Sequence, residues 1–130
     1  MTEQYPTCHS ILIVDDDEDI RNAMSDVLEM EGHHTIQAAN GKEALEIIAN
    51  NTKPCLVLLD MMMPVMNGRE FLDVVIASGS LTPLPVVIVS AHASIRETEG
   101  AVGFLKKPVN IDAILKVASQ YCGKSASPSP

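Results

Sequence analysis

Short apolar runs, each too brief for a helix, alternate along this chain with stretches of helical period, and that alternation narrows the fold more than any other feature. Ile11–Val14, Cys55–Leu59 and Val86–Val89 are apolar at successive positions, as strands covered on both faces must be. His34–Ala38 is a weaker strand, and Val102–Leu105 a shorter one preceded by Gly100. Between them, Ile20, Met24, Val27 and Leu28 form one helical stripe that should end near Gly32. Asn40, three residues before Glu43, reads as the cap of a helix carrying Leu45, Ile48 and Ala49. Phe71, Leu72, Val75 and Ile76 mark another helix, and Ile111, Ile114, Leu115 and Ala118 the last. Strands alternating with helices predict an α/β domain, a doubly wound five-stranded parallel sheet with helices on both faces. In such sheets ligands bind beyond the carboxyl ends of the strands.

Composition sets the outer limits. A chain of 130 residues suits one domain, and 46% hydrophobic with 20% charged residues is a globular balance. With 9 Lys+Arg against 17 Asp+Glu the net charge is −8, which leaves no basic stripe for nucleic acid. Aromatic residues at 3%, with no Trp, offer no platform for stacking bases. Cys8, Cys55 and Cys122 are odd in number and lack C-x-x-C spacing, so neither a disulfide framework nor a zinc site is expected. His9, His33, His34 and His92 lack ligand-like spacing and read as surface or capping residues. Met1–Pro6 has no signal-peptide pattern, and the apolar runs fall far short of the roughly 20 residues that span a bilayer. The expectation is a soluble, cytoplasmic protein with no membrane or nucleic-acid partner.

Chemistry collects at the expected strand ends. The first strand runs into Asp15, Asp16, Asp17, Glu18 and Asp19, the third ends at Asp60, the fourth at Ser90, and the fifth leads to Lys106, Lys107 and Pro108. Two carboxylates about 4 Å apart repel by roughly 4 kcal/mol at an effective dielectric near 20, so crowding them requires a proton, a lysine or a divalent cation. Hard oxygen ligands suit Mg²⁺, or Mn²⁺, better than zinc. The acidic run alone would serve as a solvated loop and as negative charge at a helix N-terminus. Together with Asp60, Ser90 and Lys107 it reads as a cation site, with Asp60 a nucleophile toward phosphorus.

These segments resemble the receiver domains of two-component response regulators. The resemblance rests on Ile11-Leu-Ile-Val-Asp-Asp-Asp-Glu-Asp-Ile-Arg21, Leu56-Val-Leu-Leu-Asp-Met-Met-Met-Pro-Val-Met-Asn-Gly68, Val86-Val-Ile-Val-Ser-Ala91 and Gly103-Phe-Leu-Lys-Lys-Pro108, and covers residues 9–122. It implies a flavodoxin-like strand order 2-1-3-4-5. It also implies Asp60 as phosphoacceptor, supplied by a sensor histidine kinase or phosphotransfer protein. Asp16 would ligate Mg²⁺ directly, Asp15 largely through water, and Asp60 and the Met62 backbone carbonyl would complete the protein's ligands. Ser90 matches the switch hydroxyl, Phe104 the switch aromatic, and Lys107 the lysine that pairs with the phosphoryl group; the Lys107–Pro108 bond resembles the family's cis peptide. Pro64 and Gly68 fit the loop that leads from Asp60 into the following helix, whereas Met61, Met62, Met63 and Met66 read as gap fillers. His92, two residues past Ser90, falls where the family influences water access to the phosphoryl group.

The segment from Ala91 to Val102 is short for this family and offers only Ile95 as an apolar anchor, so the helix expected there should be short or degenerate. That leaves dimerisation and the downstream protein open. Residues 1–8 read as an extension and 123–130 as a disordered Ser/Pro tail, consistent with a stand-alone receiver or one cut at a linker. Two alternatives accompany the reading: a receiver-like scaffold that works without phosphorylation, and an aspartyl-phosphate phosphatase.

Overall fold

The computed structural model describes residues 10–49, 54–61, 66–77, 85–91, 100–107 and 109–122. They form β1 (Ser10–Val14), α1 (Glu18–Met30), β2 (His34–Ala38), α2 (Gly41–Ala49), β3 (Leu56–Asp60), α3 (Gly68–Ala77), β4 (Val86–Ser90), β5 (Gly103–Lys106) and α4 (Ile111–Cys122). Every strand pair is parallel, in the order β2-β1-β3-β4-β5, as expected.

Side-chain alternation along the central strands divides the core in two. Leu12, Val14, Val57, Leu59, Val86 and Ile88 point to one face, where they pack with Ala44 of α2 and Phe71 and Leu72 of α3. Ile11, Ile13, Leu56, Leu58, Val87 and Val89 point to the other, against Met24 and Leu28 of α1 and Ile114 and Ala118 of α4. Both faces are apolar because both are covered, which is why these strands read as unbroken apolar runs. Ile76 and Ile111 depart from the expected stripes: they are 54% and 55% exposed.

The helix ends follow from local chemistry. Asp17 caps α1, accepting from the Asp19 and Ile20 amides. The helix closes in a Schellman turn, with Gly32 at φ 92°, its N–H donating to Glu29 O and the His33 N–H to Leu28 O. Asn40 Oδ1 accepts from the Glu43 amide, and Glu43 Oε1 reaches back to the Ala39 amide, so the expected cap is present. Asn67 and Glu70 form a reciprocal capping box on α3.

Two expectations are corrected. Cys55 and Cys122 form a disulfide, with Cα atoms 5.4 Å apart. Sequence spacing gave no sign of it because the two lie 67 residues apart and meet only when α4 folds back along β3. His33, read as a surface or capping residue, does cap α1 through its N–H, but it is buried, so the surface half of that reading is corrected. The segment 92–99, expected to hold a short or degenerate helix, lies outside the described residues, as do Cys8, His9, His92, the terminal segments 1–8 and 123–130, and Pro108 with its peptide bond.

Candidate functional site

Parallel pairing aligns the carboxyl ends of the strands, and with them the residues singled out in the sequence. Val14 pairs with Leu59, which brings Asp15 beside Asp60, the last residue of β3. Asp60 pairs with Val89, one residue before Ser90 at the end of β4. Ser90 pairs with Lys106, and the Lys107 N–H donates to Ser90 O at 2.8 Å. Asp15, Asp60 and Ser90 are all buried, at 1%, 5% and 2% exposure.

Lys107 holds the centre. Its Nζ lies 3.1 Å from Asp15 Oδ2 and 3.3 Å from Asp60 Oδ1. Burial pushes the ammonium toward the neutral form, but the Asp15 and Asp60 carboxylates outweigh that and hold it above the ordinary lysine value. Lys106, its neighbour, is exposed, because β5 alternates and turns that side chain outward. Of the two lysines, Lys107 is the one whose ammonium lies between Asp15 and Asp60.

Asp16 is exposed and completes a group with Asp15 and Asp60 in which one carboxylate oxygen from each lies within 4.8 Å of the others. Three hard oxygen donors at that spacing, one on the solvent side and two in the floor, fit a hydrated Mg²⁺ or Mn²⁺. The rest of the acidic run does other work. Asp17 caps α1, and Glu18 and Asp19 sit in its first turn, where the helix dipole favours them. Of the acidic run, only Asp15 and Asp16 join Asp60 in the carboxylate group, while Asp17, Glu18 and Asp19 belong to the start of α1.

Phe104 stands on β5 and is 40% exposed, next to neither Asp60 nor Lys107 in strand register. Met62 and Pro64 lie outside the described residues. Gly68 is packed so closely beneath the site that a Cβ there would come within 2.7 Å of Asp60 O. Met61 is buried against it, filling space as expected. Arg21 was quoted in the sequence only as part of a motif. Its guanidinium donates to Asp15 O at 2.7 Å, a contact no spacing rule would single out.

The sequence profile described as Response regulator receiver domain matches residues 11–119. The chain belongs to this family. Receiver domains are the signalling modules of two-component response regulators, so the family expected from the motifs is the one found. The receiver is 39% identical over 116 residues to sporulation initiation phosphotransferase F of Bacillus subtilis, covering 85% of this chain and 91% of that one. It is 29% identical over 119 residues to the polar-differentiation response regulator DivK of Brucella anthropi, covering 88% and 96%. Among solved structures, chemotaxis protein CheY4 of Vibrio cholerae superposes with a TM-score of 0.78 at 31% identity, covering 88% of this chain and 98% of that one. Among the described residues of the receiver, no helix is long and apolar enough to cross a membrane.

Proposed function

We propose that Asp60 accepts a phosphoryl group from the phosphohistidine of a sensor histidine kinase or phosphotransfer protein, and that the phosphorylated receiver signals through altered protein contacts. The observation that carries this reading is the convergence of Asp15, Asp16, Asp60 and Lys107 from the ends of three separate strands onto one sheet edge.

In the transfer, an Asp60 carboxylate oxygen forms the new P–O bond as the P–N bond of phosphohistidine breaks. The imidazole leaves with the bonding pair and is protonated as needed to return to neutral histidine. Charge on the phosphoryl oxygens is met by the Lys107 ammonium, already 3.3 Å from Asp60 Oδ1. Ser90, one strand over, offers a hydroxyl to another oxygen and serves as the switch group, with Phe104 as its aromatic partner. Asp15, Asp16, Asp60 and the Met62 backbone carbonyl would hold Mg²⁺, which supplies positive charge against carboxylates and phosphate alike. Dephosphorylation by water at the same site completes an autocatalytic cycle, with no diffusible substrate beyond phosphodonors.

The domain assigned to this role is 9–122, working in the cytoplasm with proteins and not nucleic acid as partners. The name of the Bacillus subtilis relative, a phosphotransferase, favours a relay role in which the group passes onward. Incubation with acetyl phosphate and Mg²⁺ should add one phosphoryl group by intact mass, and Asp60→Asn should remove that gain. An adduct that survives Asp60→Asn, or none in the native protein, would overturn the assignment.

A further inference from the structure

Arg21 sits within two turns of Asp15–Asp19, yet among the described residues its guanidinium forms no ion pair with a carboxylate. Nη1 donates instead to the Asp15 backbone carbonyl at 2.7 Å, and Nε to Gln37 Oε1 at 3.0 Å. Gln37 lies on β2 opposite Ile13, and its side-chain amide donates to Asn22 Oδ1 at 3.2 Å. The guanidinium is therefore gripped from the neighbouring strand while it grips the end of β1.

That carbonyl is part of the peptide joining Asp15 to Asp16, the two neighbouring carboxylates of the acidic group. Asp15 is already anchored elsewhere: its N–H donates to Ala38 O at 3.1 Å, Oδ1 accepts from the Asp17 amide at 2.9 Å, and Oδ2 from Lys107 at 3.1 Å. Asp16 is exposed and has no such bonds among the described residues, so the orientation of this peptide sets where its carboxylate emerges. Two N–H groups in a rigid fork can hold a carbonyl and an amide oxygen at once. An ammonium on a flexible stem lacks that geometry.

We propose that Arg21, locked by Gln37, is a positioning residue for the acidic pair: it fixes the Asp15–Asp16 peptide so that both carboxylates present to a divalent cation. The proposal rests on the reading of Asp15, Asp16 and Asp60 as the magnesium site. Groups that orient ligands in this way are commonly worth about 10- to 100-fold in metal affinity.

The test is a Mg²⁺ titration of the native protein, Arg21→Lys, Arg21→Met and Gln37→Leu, followed by amide chemical shifts, with hydrogen exchange measured alongside. All three variants should bind Mg²⁺ at least about tenfold more weakly, in line with lost ligand orientation. The Asp17 amide, bonded to Asp15 Oδ1, should exchange faster, while Leu58 and Ile88 in the central strands keep their protection. If charge alone matters, Arg21→Lys binds like the native protein and Arg21→Met binds more tightly, and the proposal is wrong. Unchanged affinity in all variants overturns it too. Should Arg21→Met fail to fold, Arg21→Lys and Gln37→Leu decide by the same criteria. A native protein that binds no Mg²⁺ would defeat the magnesium site and this inference together. Native binding with unaltered variants defeats the inference alone.

Discussion

The Lys107 ammonium lies 3.1 Å from the carboxylate of Asp15, a residue 92 positions earlier in the chain. The contact exists because β1 and β5 end on the same edge of the sheet, and it balances part of the repulsion between Asp15 and Asp60.

Removing that balance should be costly. Lys107→Ala leaves two buried carboxylates without their cation, and a loss of roughly 1–3 kcal/mol is expected, below the range for fully buried pairs because the lysine is 22% exposed. Urea unfolding without Mg²⁺ measures it, and added Mg²⁺ should recover part of the loss.

The same lysine gives a pH dependence in the metal-free protein. Its folded value is raised, so its contribution is fully present below the ordinary lysine value of 10.5 and is lost as pH rises through the higher folded value. Stability measured from neutral pH into that alkaline range should fall more steeply for the native protein than for Lys107→Met.

Magnesium should stabilise the fold by mass action. At a hundred times its dissociation constant the gain is about 2.7 kcal/mol, seen as a rise in Tm. Asp16→Asn should shrink that rise while leaving the metal-free Tm nearly unchanged, since Asp16 is exposed.

The Cys55–Cys122 disulfide closes a long loop, and its removal by Cys55→Ser should cost about 2–4 kcal/mol under oxidising conditions. The urea midpoint of the native protein should drop on reduction, and that of Cys55→Ser should not. Equal midpoints for the native protein in both states would show that the bond adds nothing to stability.

Gly68→Ala tests the packing beneath Asp60. Its Cβ would meet Asp60 O at 2.7 Å and Met61 Cα at 2.8 Å, both on a backbone that cannot swing aside. A loss of about 1–3 kcal/mol is expected, with slower acetyl-phosphate labelling as the β3 end shifts.

Local chemistry made much of this protein legible in its sequence. Apolar runs at Ile11, Leu56 and Val86 announced buried parallel strands, and Asn40 with Glu43 announced a capped helix. The site residues could be named because strand ends in a parallel sheet share one edge whatever the loops between them do. Other features were invisible. The disulfide, the burial of His33 and the grip of Arg21 on Asp15 depend on how helices lie across strands. The division of labour within Asp15–Asp19 was equally hidden, since Asp17 differs from Asp16 only by facing the helix and not the sheet edge. The sequence by itself thus determined which elements form and which groups end at the carboxyl edge of the sheet, because period and capping act over a few residues. Tertiary structure alone decided which of those groups touch, because contact distances are set by register and packing between segments far apart in the chain.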